Sequence, residues 1–428
     1  MPRLPDPRFA TDCTVTVDGR PVPARAGESI ASALVAAGRP LLSRSAKYHR
    51  PRGPFCLSGS CGSCLVRVDG EPNRRACRTP CQDGQRVETQ NAWPDAERDV
   101  LGLIDPLTPR GLDVHHMLTR PLPLNRALVA FTRRLAGFGR MPDRPAARGP
   151  APTEERVDAL VLGSGPAGLG AAGELARAGL RVLLVERDHL LGGRLRAGLE
   201  PAFAPAGWPA DVSRAVVAAG GEVAVGTTAV GLWNDGGEPV CLLVAHAPAR
   251  TRLLRARRIL ICTGGHARPP VFEGCDLPGV FSGRSLALAL AEHGVVPGRH
   301  LAVLGGGTEA AAMADRFRAA GMVATLVDGP PLQATGRRRV RSLRFAGAPE
   351  IRCDTVAQGA PPAPAPDLLR ALGVGVDWDP AIQAFAPRVS PDGSTSRPGL
   401  FAAGEVARPV TASEAASWGR RAGEAAGG

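Results

Sequence analysis

The segment from Val157 to Glu186 constrains the fold most. Val157-Asp158-Ala159-Leu160-Val161-Leu162 reads as a buried strand, Gly163-Ser164-Gly165-Pro166-Ala167-Gly168 as a glycine turn, residues 169–178 as an alanine-rich helix, and Val182-Leu183-Leu184-Val185 as a second strand. A strand that feeds a helix and then a second strand over so short a span returns to the same sheet, with the two strands parallel. The glycines let the backbone approach a pyrophosphate, the helix N-terminus attracts its charge, and Glu186, 18 positions past the third glycine, stands where ribose hydroxyls are bound. The candidate dinucleotide residues are therefore Gly163, Ser164, Gly165, Pro166, Ala167, Gly168 and Glu186, with Arg187 beside it. A purely structural turn would not require the acidic strand end.

A second unit of the same kind spans 300–328. Leu301-Ala302-Val303-Leu304 leads into Gly305-Gly306-Gly307-Thr308-Glu309-Ala310 and then a strand ending in Asp328, which makes Gly305, Gly307 and Asp328 candidates for a second nucleotide. Strands alternating with alanine-rich helices from residue 156 onward predict an α/β fold with parallel sheets. Upstream the pattern differs. Cys13-Thr14-Val15-Thr16-Val17 and the turn Asp18-Gly19 predict a hairpin, Ser29 opens an apolar helix, residues 64–68 with Asp69-Gly70 predict a second hairpin, and 85–89 a closing strand. At 428 residues the chain exceeds one ordinary core. The expected organisation is a β-rich domain over 1–95, a partly helical linker over 96–152, a nucleotide-binding domain built from 153–266 and 381–428, and a shortened second one over 267–380. Within the linker region, 93–104 reads as an acidic helical piece. Leu124, Leu128, Phe131, Leu135 and Phe138 share one helix face opposite Arg126, Arg133 and Arg134, a face suited to packing on the chain itself or on a partner.

The chain has ten cysteines and no apolar N-terminal export signal, which points to metal ligation or burial rather than disulfides. Cys56-x4-Cys61-x2-Cys64, followed after the second hairpin by Cys77, has the spacing with which a plant-type ferredoxin holds a 2Fe-2S cluster. Three thiolates in one loop wrap one side of a cluster while the hairpin returns the fourth. Zinc is the competing ligand, although zinc pairs sit two to four residues apart on both sides, and only Cys61 and Cys64 make such a pair. Cys81 is a spare thiol, and Cys13, Cys241, Cys262, Cys275 and Cys353 read as core residues.

Other function classes fit poorly. The net charge is +12, but it is almost entirely arginine spread along the chain, with Lys47 the only lysine, and aromatic residues make up 4%. A nucleic-acid binder concentrates its charge and interleaves aromatics, so none is expected as a partner. No apolar run reaches the length of a membrane span, so a cytoplasmic protein without membrane insertion is expected. No Ser/His/Asp or activated-cysteine arrangement emerges, and the adjacent pair His115-His116 reads as a turn. Catalytic residues are not identifiable. Redox chemistry on bound cofactors is what the residues support.

Three further segments carry a resemblance. Gly192-Gly193-Arg194, the strand ending Cys262-Thr263-Gly264-Gly265, and Gly399-Leu400-Phe401-Ala402-Ala403-Gly404-Glu405-Val406 are similar to landmarks of the two-dinucleotide-binding flavoproteins. The resemblance implies FAD held by the first glycine turn with Gly193, Arg194, Thr263, Gly264, Gly404 and Glu405, the last standing where that family usually has Asp. It makes the second unit a nicotinamide-type domain, holding NAD(P) or an ADP-like nucleotide or surviving as a remnant. Ala46-Lys47-Tyr48-His49-Arg50-Pro51-Arg52-Gly53, Arg74-Arg75-Ala76-Cys77, Gln90-Asn91-Ala92-Trp93-Pro94, Arg268-Pro269 and Asp276-Leu277-Pro278-Gly279-Val280 more closely resemble the α subunits of heterotetrameric sarcosine oxidases and their relatives, including hydrogen cyanide synthase, dye-linked proline dehydrogenases and opine oxidases. Sarcosine oxidase α subunits have largely lost the cluster cysteines and carry a folate-binding domain, whereas this sequence keeps the four cysteines and stops at Gly428.

The resemblance implies a β-grasp plant-type ferredoxin domain followed by a two-dinucleotide-binding flavoprotein fold. It also implies an electron-transfer flavoprotein and iron–sulfur subunit of a heteromeric dehydrogenase or oxidase acting on the C–N bond of an amine or amino acid. The partner would be an FAD-containing β-type subunit, docked on the 124–138 face, with FMN a further cofactor at that interface. A standalone NAD(P)H-dependent reductase and a scaffold that keeps nucleotide for structure only are the alternatives.

Overall fold

The computed structural model describes residues 3–45, 48–103, 120–135 (side chains to 130), 151–200, 203, 207–246 and 249–428. Lys47, the His115-His116 pair, and the side chains of Phe131, Leu135 and Phe138 lie outside the described set. Contacts group the chain into two compact units, one of 1–145 with 269–360 and one of 146–268 with 361–428.

In the first unit, residues 13–88 form a five-stranded sheet in the order Arg20–Ala24, Cys13–Val17, Arg86–Glu88, Leu65–Val68, Glu71–Arg75. Cys13–Val17 pairs in parallel with Arg86–Glu88 and the other pairs are antiparallel, the β-grasp arrangement. Both hairpins turn on an Asp-Gly pair with left-handed dihedrals: Asp18 has φ 50° and Gly19 77°, Asp69 49° and Gly70 85°. Two successive positive φ values match the right-handed twist of the flanking strands. The helix Ile30–Ala36 begins where Ser29 Oγ accepts the Ser32 N–H at 3.1 Å. Its Ile30, Ala31, Ala33 and Leu34 complete a core with Val15, Val66 and Val87.

Of the stretch 93–104, the described residues 93–103 form a series of bends with one short turn at 101–103, not the helix the composition predicted. Two aspartates account for this. Asp95 Oδ1 accepts the N–H groups of Glu97 at 3.0 Å and Arg98 at 2.9 Å, and Asp99 Oδ1 accepts those of Leu101 at 3.1 Å and Trp93 at 3.2 Å. Such local side-chain bonds take the donors that a helix would need.

The same unit contains a four-stranded parallel sheet in the order Val280–Ser282, Thr355–Gln358, His300–Leu304, Val323–Val327. The helix Thr308–Ala319 connects its last two strands. The β-grasp module is fastened to this sheet by the Arg52–Asp276 ion pair at 2.6 Å and by the Ser282 N–H, which donates to Phe55 O at 2.9 Å. Arg25 adds a bond from Nη1 to Glu292 O at 2.9 Å.

The second unit is a seven-stranded sheet whose parallel part runs Glu222–Ala224, Val182–Val185, Thr153–Leu162, Ala249–Ile261, Leu400–Ala402. Thr227–Asp235 and Glu238–His246 extend it antiparallel along the first half of Ala249–Ile261. The helix Pro166–Arg177 packs against Ala412–Gly427, which starts in a full capping box between Thr411 and Glu414. Glycine sets the approach of these helices. A Cβ on Gly419 would lie 1.9 Å from Ala167 O, and one on Gly170 2.5 Å from Ala416 O. The linker helix Leu122–Leu135 exposes Leu122 and Leu124. No described helix is long and apolar enough to cross a membrane.

Because backbone fills the space beside Gly419, Gly419→Ala must push the two helices apart. A loss of about 1–3 kcal/mol is expected, read as a lower denaturant midpoint at unchanged slope. An unchanged midpoint would show that the helix pair is not held at this distance.

Candidate functional site

In the second unit the first glycine turn lies where three backbone segments converge. Gly163 has φ 98°, and a Cβ there would lie 2.5 Å from Cys262 O; one on Gly168 would lie 1.8 Å from Gly163 O. These two positions are glycine because backbone occupies the side-chain volume. Gly165 is different. Its φ of −65° and ψ of −179° suit any residue, and nothing lies within 4 Å of its Cβ position. That open space stands at the N-terminus of Pro166–Arg177, where backbone N–H groups and the helix dipole favour an anion.

Glu186 is buried at the end of Val182–Val185. Its Oε2 accepts the Ser164 N–H at 2.9 Å and the Ser164 hydroxyl at 2.6 Å, while Oε1 accepts the Asp188 N–H at 2.8 Å. A carboxylate has about four acceptor positions, so one remains for a ribose hydroxyl. Gly193 sits against the turn, its Cβ position 3.0 Å from Gly165 Cα. Arg194 reaches across the unit. Its Nη1 donates to Glu405 Oε1 at 2.6 Å and to Val410 O at 2.7 Å. Gly404, with φ 84°, brings the late motif onto the helix start, its Cβ position 2.9 Å from that of Ala167. Arg187 and Thr263 are exposed, and Gly264 turns the chain with φ 76°. The open space at Gly165, the dipole and the spare acceptor of Glu186 fit the pyrophosphate and ribose of FAD.

One member of this network carries no sequence signal. Glu200 receives Arg194 Nη2 and accepts the Ala412 N–H at 2.7 Å, which ties Arg194 to the first turn of Ala412–Gly427. It stands in an irregular segment, outside every motif.

In the first unit, Gly305 has φ 107° and Gly307 φ 88°, and the Cβ positions of Gly306 and Gly307 are open. The first turn of Thr308–Ala319 carries Glu309, however, and Arg284 Nη2 donates to Glu309 Oε2 at 2.7 Å. A carboxylate of the chain itself already occupies the favourable end of that helix dipole. Asp328 is exposed. Arg284 is a second residue that sequence reasoning missed.

The cysteine loop brings four sulfurs together. Cys64 Sγ lies 3.3 Å from Cys77 Sγ, and Cys56 Sγ accepts the Ser58 and Cys61 N–H groups, both at 3.4 Å. Gly59 with φ 88° and Gly62 with φ 67° give the loop the curvature that aims these N–H groups inward. Cys56, Cys64 and Cys77 are buried and Cys61 is exposed. Hydrogen bonds from the Cys61 and Cys77 thiols hold Cys56 far below the usual thiol range, opposed by burial, and Cys77 likewise pulls Cys64 down. The same contacts, together with burial, push Cys61 and Cys77 up. Converging sulfurs, inward N–H donors and a mostly buried loop fit an iron–sulfur cluster. Among the described residues, no three His, Cys, Asp or Glu side chains are disposed to hold a single metal ion. Cys81 belongs to the module's core, and burial pushes its thiol up to about 12. Burial does the same to Cys241, Cys262 and Cys353, also to about 12, in keeping with core roles.

Residues 10–92 match the family of 2Fe-2S iron–sulfur cluster binding domains, and residues 157–337 match the pyridine nucleotide-disulphide oxidoreductase family. The α subunit of sarcosine oxidase from Rhizobium meliloti is 34% identical over 77% of this chain, which covers 36% of that protein. The HcnA subunit of hydrogen cyanide synthase from Pseudomonas aeruginosa is 42% identical over 21% of this chain and 86% of its own length. An opine oxidase subunit from Rhizobium meliloti is 28% identical over 58% of this chain and 66% of its own length. The chain thus spans about a third of the sarcosine oxidase subunit it matches. In fold it is similar to the crystal structure of L-proline dehydrogenase from P. horikoshii, with a TM-score of 0.73, 20% identity, and coverage of 99% of this chain and 74% of the other. With the cysteine quartet, the glycine cradle and these matches taken together, the chain belongs to the family of sarcosine oxidase α subunits and their relatives, in a form that bears a 2Fe-2S domain.

Proposed function

We propose that this chain is the electron-transfer subunit of a heteromeric dehydrogenase or oxidase in which a separate FAD-containing subunit oxidises the C–N bond of an amine or amino acid to an imine. Cys56, Cys61, Cys64 and Cys77 hold the 2Fe-2S cluster. The Gly163–Gly168 turn holds FAD together with Glu186, Arg187, Gly193, Arg194, Thr263, Gly264, Gly404 and Glu405. When bound, the flavin takes an electron pair and the cluster passes electrons singly. The observation that carries this reading is the presence, in one chain, of a cluster of four cysteine sulfurs and an open glycine cradle.

The chain's arginines support assigning the amine site to a partner. Arg194, Arg196 and Arg252 are mostly buried, and each is paired with carboxylates of the chain: Arg194 with Glu405, Arg196 with Asp188, and Arg252 with Glu155 and Glu222. An amino-acid carboxylate would need such a guanidinium unpaired. The Arg284–Glu309 pair disfavours the standalone reductase, because a nicotinamide dinucleotide would have to bring its pyrophosphate beside Glu309. All ten cysteines are unpaired, which suits a reducing compartment, and we place the protein in the cytoplasm.

Three outcomes follow from these assignments. Cys64→Ser should lose most of its iron while Cys81→Ser keeps the full content, measured by metal analysis; equal iron in both variants would reject the ligand set. Gly165→Val should fold normally, since its Cβ position is open, yet obstruct the pyrophosphate. Extractable adenine nucleotide should then fall at least about tenfold with iron retained, a loss of roughly 1.4 kcal/mol or more in binding. Undiminished nucleotide would overturn the placement. The isolated chain should reduce no dye with any amine or amino acid, and NADH should not bleach its flavin under anaerobic conditions. Steady turnover by the homogeneous chain would contradict the subunit role, and rapid bleaching would restore the reductase reading.

A further inference from the structure

In the first unit the cysteine loop opens to solvent at one place. Ser60, Cys61 and Gly62 are exposed, while Cys56, Cys64 and Cys77 are buried. Electron transfer weakens steeply with distance, so the exposed ligand marks the edge at which a cluster held by these cysteines exchanges electrons with another molecule. Ser58, Gly59, Ser60, Gly62 and Ser63 around it carry no bulk, which lets a partner's surface come close.

The charge beside that edge is of one sign. The segments that supply the ligands, 43–68 and 72–82, contain no Asp or Glu. The second of them sets Arg74, Arg75 and Arg78 around Cys77, and all three arginines are exposed. The sheet holds this run against the loop, since Arg75 pairs with Leu65 and the Ala76 N–H donates to Cys64 O at 2.9 Å. Arg78 lies across the loop itself: a Cβ on Gly59 would be 2.8 Å from Arg78 Cγ. Glu71 pairs with Arg74 at 2.7 Å, an exposed contact of little energetic weight, and Arg75 meets no carboxylate among the described residues.

This face has no exposed large apolar or aromatic side chain over 57–65 or 72–82, so it suits neither a lipid surface nor nucleic acid. Guanidinium groups recognise carboxylates by paired hydrogen bonds, and opposite charge steers the encounter of two proteins. We propose that the Cys61 face of the cysteine module, bordered by Arg74, Arg75 and Arg78, docks a small acidic one-electron carrier protein as the electron acceptor. The inference rests on the proposed function, from which it takes the cluster as the electron outlet. One electron leaves the reduced cluster, which returns to its oxidised state, and the redox centre of the carrier gains that electron. Two such transfers discharge the pair taken by the flavin.

Flavodoxin, an acidic one-electron carrier without iron, serves as the probe in calorimetric titrations of the iron-loaded full chain, with the basic protein cytochrome c as counter-probe. Flavodoxin should bind with a Kd of roughly 1–100 μM at low ionic strength and be released at about 1 M salt, where the Debye length is about 3 Å. Cytochrome c should not bind. Arg75→Glu and Arg78→Glu should each weaken flavodoxin at least about tenfold. Arg20→Glu makes the same change in net charge on the opposite edge strand of the sheet, and should alter the affinity less than about twofold. Iron content and the paramagnetic signal report on the cluster in each variant; where Arg78→Glu loses iron, Arg75→Glu carries the comparison. With the cluster intact, equal affinity in wild type and Arg75→Glu, or an equal loss in Arg20→Glu, overturns the docking face and leaves the subunit role standing. A changed cluster potential in Arg75→Glu with unchanged flavodoxin binding makes the arginines tuning groups, and sedimentation with anionic vesicles without flavodoxin binding makes the face a lipid surface; either overturns the proposal. A chain that holds no cluster overturns the proposed function, and this inference with it.

Discussion

The cradle unit depends on backbone atoms standing where side chains would be. Gly163 O occupies the Cβ position of Gly168, Cys262 O that of Gly163, and Ala167 O that of Gly419. These contacts bring the first strand, the helix Pro166–Arg177, the crossing strand that ends at Cys262 and the last helix to one point. Only there can Gly165 be left open at a helix N-terminus with Glu186 held beside it. The Arg194–Glu405 pair closes the arrangement, because it joins residues 211 positions apart across the glycine turn. An anion cradle needs donors fixed before the anion arrives, and close-packed backbone supplies that rigidity without any flexible side chain.

Much of this was legible in the sequence, for reasons that particular residues make plain. The Asp18-Gly19 and Asp69-Gly70 turns, the Ser29 cap and the Gly163–Gly168 turn are local signals in which a few residues dictate their own dihedrals, and all formed as read. The stretch 93–104 misled because composition favoured a helix while Asp95 and Asp99 bound nearby N–H groups instead. Glu200 and Arg284 could not be found at all. Their roles come from partners outside their own segments, Ala412 for Glu200 and Glu309 for Arg284, and neither residue belongs to a motif.

The two glycine turns show how similar local sequence can serve different ends. Both carry left-handed glycines and open Cβ positions, yet only the second has an acid in the first turn of its helix, answered by Arg284 from the helix Gly283–His293. The first turn leaves its helix end open to an anion, whereas the second has its helix end satisfied by the chain's own Glu309. Arg194 and Arg252, mostly buried, are engaged by the chain's own carboxylates, and in the proposed function recognition of an amino acid falls to another chain.

In the proposed function one chain holds both a two-electron and a one-electron carrier. The most direct test is an anaerobic reductive titration of the purified full chain with dithionite, followed by optical and paramagnetic signals together. The account predicts about three electrons per chain, two bleaching flavin absorbance and one producing the signal of a reduced 2Fe-2S cluster. An end point at one electron with no flavin bleaching, or at two with no cluster signal, would contradict it.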